Sequence, residues 1–206
     1  MIDKHISFQT VVKALSTESN FKVNIKDYDS CIDHVIHLID DAVLLYKNGS
    51  YSTATFLAIT IIEEVAKIHI GLFSKVPKNG KARVSKDCLH NHNKKQVMGA
   101  NYTICIGSRL QKSIGKQQME HIFNIAYENK MSQYRESALY CDYKDGKMHI
   151  PAEVINQELS RSFLLFAIES FDDNLVGWDD YSIESSKHTD ELFSEIAATN
   201  LDEDQK

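Results

Sequence analysis

Proline and glycine are scarce, with two prolines and eight glycines in 206 residues. So few turn formers argue against a fold of many short strands, and the long helical periodicities point to an all-α protein. Cysteine is sparse too. Cys31, Cys88, Cys105 and Cys141 are scattered without a framework spacing, which argues against a disulfide scaffold and for reduced thiols in the cytoplasm. No apolar run reaches the length of about 18 residues that a membrane span needs, so no membrane contact is expected. The N-terminus MIDKHISFQT lacks the charged-then-apolar form of a signal peptide. A Walker-type glycine loop, a dinucleotide fingerprint and a G-x-S-x-G elbow are all missing. That argues against ordinary nucleotide hydrolysis, hydride transfer and serine hydrolase chemistry.

What is present is a chain 43% hydrophobic, enough for a proper core, with a net charge of −6 unevenly placed. The last 18 residues hold six acids and one lysine, which leaves residues 1–188 near neutral. Within them, Lys75–Lys95 carries seven bases against Asp87. Such a segment can meet phosphate or an acidic partner, or can be a solvated loop kept soluble by its lysines.

The pattern divides the chain into an N-terminal extension (1–28), a helical bundle (29–178) and an acidic C-terminal helix and tail (179–206). A short helix is expected around Ile6–Leu15. An amphipathic helix follows at about Asp29–Lys47, with Asn48-Gly49 as its stop, and a second spans Ser50–Phe73 after a short link that implies a hairpin. Lys75–Asp87, with Pro77 and Asn79-Gly80, reads as a loop. A third helix starts near Asn91, and a fourth runs from about Ile114 to Ala138. A small hairpin turns at Lys144-Asp145-Gly146. Pro151 opens a fifth helix, to about Asp173, and a last short one lies near Asp190–Ala198.

The second helix is apolar on two sides. Ala54, Leu57, Ala58, Ile61, Ile62, Val65, Ile68 and Leu72 make one face; Phe56, Ile59, Ala66 and Ile70 make another. A helix of this kind belongs at the centre of a bundle. Between the faces runs a polar seam of Thr53, Thr60, Glu64 and Lys67, with Glu63 at its edge. Buried charges are costly unless paired, so the seam is either a satisfied ion pair or the wall of a site.

Three stretches, in order, carry a resemblance. Gly49–Lys67 (GSYSTATFLAITIIEEVAK) resembles the central helix of AbiV-type abortive-infection proteins, a branch of the HEPN superfamily. His92-Asn93-Lys94-Lys95-Gln96 resembles that family's H-x-x-K-Q. Arg135–Asp142, followed by Gly146 and Pro151, resembles its R-x-x-x-L-Y-x-D segment. The resemblance covers roughly Asp29–Phe171. It implies a HEPN-like bundle of four to five main helices with short extra helices at the termini, often a homodimer, used in bacterial defence against phage. It also implies action on RNA or the translation machinery, or recognition of a phage-encoded protein. Many HEPN domains are metal-independent ribonucleases with Arg, four to six residues, then His. Here Tyr140 stands five residues after Arg135, where that motif would give His. Histidine exchanges a proton near neutral pH, whereas a tyrosine hydroxyl holds its own.

The candidate catalytic residues are therefore Arg135, Tyr140, His92 and Glu64. Arg135 is either a phosphate clamp or the structural partner of Glu64 or Glu63. His92 is the one histidine within the three motifs and can replace the missing base. Lys67, Lys94, Lys95, Lys86 and Arg83 are the candidate RNA- or phosphate-binding residues, and Glu63, Glu64, Lys67 and Asp142 the structural polar seam. Cys88, His90 and His92 form C-x-H-x-H without a second ligand pair, and His34 and His37 lack carboxylate partners, so neither metal nor cofactor is expected.

Overall fold

The computed structural model describes residues 19, 21–74, 91–106 and 108–199, with the backbone alone over 101–106 and 108. Helix α1 (Ile25–Lys47) turns at Asn48-Gly49, where Gly49 takes a left-handed φ of 77°, into α2 (Tyr51–Phe73). Both α2 faces are covered: Ala54, Ala58, Ile59, Ile61, Ile62, Val65, Ala66, Ile68 and Ile70 are buried. Helix α2 packs on α1, on α3 (His92–Ile106) and, most extensively, on α7 (Gln157–Leu175). The fold is thus an all-α bundle with α2 and α7 at its centre, and Phe163, Phe166 and Phe171 of α7 are fully buried against it.

Two expected helices are broken. The stretch 114–138 holds α4 (Ser108–Tyr127) and a separate short α5 (Met131–Ser137). Between them Asn129 adopts φ 58°, a left-handed conformation that asparagine tolerates better than most residues. Within α4, Gly115 takes φ 80° and ψ 157° and kinks the helix. The stretch 151–173 is likewise a four-residue α6 (Pro151–Val154) followed by α7, whose start is capped by Asn156 accepting from the Leu159 amide at 2.9 Å. Apolar periodicity runs through both breaks and hides them in the sequence.

The hairpin is present as β1 (Asp142–Lys144) and β2 (Lys147–His149), antiparallel, with Tyr143 opposite Met148. Asp145 and Gly146 both have positive φ, as a tight two-residue hairpin turn requires. The last helix, α8 (Asp180–Ala197), begins ten residues earlier than its apolar pattern suggests. A capping box starts it: Asp179 accepts from the Ser182 amide at 2.7 Å, and the Ser182 hydroxyl faces the Asp179 amide. The expected helix at Ile6–Leu15, the loop Lys75–Asp87 with Arg83 and Lys86, and the end of the acidic tail lie outside the described residues. Among the described residues no helix is long and apolar enough to cross a membrane.

Candidate functional site

Glu63 sits on α2, faces α3 and α5, and is 3% exposed. Helix α3 begins beside it because Asn91 caps the first turn, its Oδ1 accepting from the Lys94 amide at 3.1 Å. That start places His92, Lys95 and Gln96 on one face by i, i+3, i+4 spacing. His92 Nδ1 lies 2.6 Å from Glu63 Oε2, Gln96 Nε2 donates to Glu63 Oε1 at 2.6 Å, and Lys95 Nζ is 3.5 Å from Oε2. From α5, Arg135 Nη1 reaches Glu63 Oε1 at 3.4 Å and Oε2 at 3.5 Å. Ser132, one turn before Arg135, accepts from Gln96 Nε2 at 3.2 Å and donates to Asn93 Oδ1 at 3.1 Å. Three helices therefore converge on one buried carboxylate.

The chemistry of the cluster follows from its partners. An ionised carboxylate only accepts, so the 2.6 Å contact puts the proton on His92 Nδ1. Its Nε2 then carries the lone pair and has no partner among the described residues, on a side chain that is 51% exposed. Arg135 Nη1 is 3.4 Å from Nδ1 of the same imidazole. Around one glutamate stand one half-exposed histidine, one buried lysine and one part-buried arginine, so the cluster sets two positive charges against one negative and is rich in donors. A buried carboxylate, an oriented imidazole with a free nitrogen and an adjacent guanidinium can together take a proton and hold a phosphate.

The other named residues lie elsewhere. Glu64 turns away from this cluster and pairs with Lys67 at 2.9 Å; Lys67 also lies over the Phe21 ring, 5.1 Å from its centre. Lys94 is exposed on the far side of the α3 start. Tyr140 is 67% exposed, and among the described residues no hydrogen bond joins it to Glu63, His92 or Arg135. It lines a shallow pocket of about 360 Å³ with Gln133, Glu136, Ser137, Cys141, Asp142 and Lys144. Asp142 pairs with Lys144 at 2.8 Å, and that contact with the Tyr143 amide holds its carboxyl below the usual range. Among the described residues no group of three or more His, Cys, Asp or Glu is placed to hold a metal ion.

Gln96, the last position of the H-x-x-K-Q stretch but given no role from the sequence, completes the cluster with Ser132 and Asn93, which the sequence did not single out. A spacing signal existed for the first two. Gln96 stands four residues after His92, and Ser132 three before Arg135, each on its partner's helix face.

A second polar cluster is built around Arg109 of α4. Its guanidinium meets Glu169 of α7 and Asp190 of α8 at short range and Asp172 at 3.4 Å, and stacks 4.3 Å from the Phe193 ring centre. Burial first, then the charges of Glu169 and Asp172, push the neighbouring Asp173 carboxyl up to about 7.

No curated protein and no solved structure matches this chain. A family model does, over residues 25–171, a span that runs from the start of α1 through Phe171 of α7 and takes in every member of the Glu63 cluster. The all-α bundle and that match agree: the chain belongs to the AbiV family of HEPN domains.

Proposed function

We propose that the protein is an abortive-infection antiviral defence protein that acts on RNA after phage infection, with the Glu63–His92–Arg135 cluster as its cleavage site. The family supports the defence role. The observation that carries the RNA reading is the 2.6 Å contact that anchors His92 Nδ1 on buried Glu63 and leaves Nε2 as the open nitrogen of a ring whose Nδ1 also lies 3.4 Å from Arg135 Nη1.

In this reading Nε2 of His92 takes the proton of a ribose 2′-hydroxyl. The 2′-oxygen attacks the adjacent phosphorus while Arg135 offsets the charge growing on the non-bridging oxygens. The bond from phosphorus to the 5′-oxygen breaks, and that oxygen takes a proton from the imidazolium or from water. The products are a 2′,3′-cyclic phosphate and a 5′-hydroxyl end. Lys95 adds positive charge behind the phosphate. Tyr140, outside the cluster, has no step in this scheme.

The test is to incubate the purified protein with RNA and determine the ends of any products, and to follow RNA integrity during phage challenge. Wild type, His92→Asn and Arg135→Ala are compared. Loss of a base of this kind costs about 10²–10⁴-fold in rate, so both variants should cleave at background level with the fold intact. Wild type that neither binds nor cleaves RNA, with an Arg135→Ala variant that still protects cells, sinks the proposal.

One observation favours a second reading, a non-catalytic dimeric module that recognises a phage or host protein. Tyr143 and Met148 face the same side of the hairpin and are 67% and 53% exposed. An apolar face left open in this way is the form of a protein contact. It predicts that Tyr143→Ser with Met148→Ser abolishes protection while His92→Asn does not.

A further inference from the structure

The two oxygens of Glu63 have four neighbours. Gln96 takes Oε1 and His92 takes Oε2, each at 2.6 Å, with Lys95 Nζ 3.5 Å from Oε2. Arg135 lies almost equidistant from the two oxygens, at 3.4 and 3.5 Å, through a single nitrogen. A guanidinium beside a carboxylate tends toward a two-point pair, one N–H to each oxygen. Here the oxygen that such a pair would need is already occupied by a shorter bond from Gln96.

Gln96 is itself locked in orientation. It is fully buried, and its Nε2 carries two hydrogens. One goes to Glu63 Oε1 and the other to Ser132 Oγ at 3.2 Å. The Ser132 hydroxyl passes its own hydrogen to Asn93 Oδ1 at 3.1 Å. Gln96 Oε1 lies 3.4 Å from the same hydroxyl, so the shorter of the hydroxyl's two contacts leads on to Asn93. Flipping the amide would set Gln96 Oε1 against a carboxylate oxygen, two acceptors with no hydrogen between them.

We infer that Gln96 is a positioning residue: it pins Oε1 of Glu63, so that Oε2 holds the His92 ring as its Nδ1–H tautomer and Arg135 engages the carboxylate through Nη1 alone, leaving the rest of its guanidinium to meet an anion. The Glu63 carboxylate fixes which way the Gln96 amide points, and Ser132 supports that orientation by taking the second Nε2 hydrogen. Without the amide, the carboxylate turns toward Arg135, the fork closes on both oxygens, and His92 loses its anchor. The use of Nε2 as a base rests on the ribonuclease reading above; the tautomer does not.

Long-range 1H–15N correlation spectra of imidazole rings report which nitrogen carries the proton, without any need for turnover. His92→Asn identifies the His92 signal among the nine histidines. In the wild-type chain, at a pH where the ring is neutral, His92 should appear as the Nδ1–H form. Gln96→Met keeps the length and loses the amide, and should move the population toward the Nε2–H form usual for a free imidazole. Ser132→Ala leaves Gln96 in place and should give a smaller shift the same way, which keeps the test open should Gln96→Met fail to fold. Where cleavage is measured, Gln96→Met should lower kcat by about tenfold or more with KM little changed, because orientation of the base is what is lost. An Nε2–H ring in wild type overturns the inference, as does an unchanged tautomer in both folded variants. A tautomer that shifts as expected in a protein that does not cleave RNA upholds the positioning role and removes the ribonuclease reading instead.

Discussion

Glu63 and Glu64 are adjacent residues of one type with opposite surroundings. Glu63 is buried among donors from α3 and α5; Glu64 meets Lys67 of its own helix at a partly exposed edge. A buried carboxylate keeps its charge only with such partners, and removing one is expensive. The same rule, read in the other direction, applies to Asp173. Burial and the charges of Glu169 and Asp172 raise its carboxyl to about 7, and one of its oxygens is buried without a partner. In the unfolded chain this group loses its proton near pH 4. Between about pH 4 and 7 the folded state holds the extra proton, so the stability contributed by Asp173 falls as pH rises. Asp173→Asn should therefore leave stability nearly unchanged at pH 4–5 and raise it by about 1–2 kcal/mol at pH 8, less than the full shift would give because the group is partly solvated. Urea denaturation at the two pH values measures it, and an equal effect at both would contradict it. His69, whose burial lowers its pKa, works the opposite way, losing stability as pH falls below the ordinary histidine range. Comparing variant with wild type at each pH cancels that contribution. The seam containing both glutamates was visible in the sequence, but which of them the donors of α3 and α5 surround was not. Helical phase put Glu64 in the seam, and it took the position of α3 to turn Glu63 into the hub.

At the scale of elements, the site depends on how closely α2 and α3 approach. Gly99 makes this possible: a Cβ there would stand 2.5 Å from the Ile62 carbonyl oxygen and 2.7 Å from Ile62 Cγ2. The carbonyl belongs to backbone and cannot swing aside. Ile62 precedes Glu63, and Gly99 is three residues beyond Gln96, so the close contact and the Glu63–Gln96 bond lie one turn apart. Gly99→Ala gains up to about 1 kcal/mol of helix propensity and loses about 1–3 kcal/mol to overpacking. The expected net result is a less stable protein in which α3 is displaced and the Gln96 bond to Glu63 lengthened. Urea denaturation and the His92 tautomer read the two effects, and a variant as stable as wild type with an unchanged ring would refute it. From the sequence Gly99 looks like a weak point in a helix; only the packing reveals it as the contact that seats one. The start of α8 was hidden for a comparable reason. Its buried stripe is Ser182, Ser186, Thr189, Phe193 and Ile196, helical in spacing but apolar only in its last two members, so the hydrophobic pattern marked only the second half. The small polar residues of the first half lie buried against the bundle, and a capping box, not hydrophobicity, sets the start.

For the whole molecule, the question is whether α8 is an appendage, as the division at residue 179 expects, or part of the bundle. The family match ends before it, at residue 171. Yet α8 lies parallel to α1, joined by Asp33 with Tyr181, Asp40 with His188 and Lys47 with Glu195, three rungs seven residues apart on each helix. These exposed pairs add little by themselves. The stronger tie is Arg161 of α7, 8% exposed, whose guanidinium donates to the carbonyls of Ile196 at 3.0 Å and Ala197 at 2.5 Å, and to Ser113 at 3.3 Å. A buried cation at the C-terminal end of α8 satisfies carbonyls that have no helical partner and meets the negative end of the helix dipole. Arg109 draws one of its carboxylates, Asp190, from the same helix. Cutting the chain after residue 178 would take two of the three carbonyls from Arg161 and one of the three carboxylates from Arg109, and would uncover the sites of Phe193 and Ile196, whose burial alone contributes about 3–6 kcal/mol. That is comparable to the whole stability of an ordinary domain, about 5–15 kcal/mol. A chain of residues 1–178 should therefore unfold at much lower urea than the full chain or fail to fold cooperatively, and Arg161→Met in the full chain should reproduce part of the loss. If the shortened chain kept the midpoint of the full one, α8 would be an appendage after all, and the core would close over α7 without it.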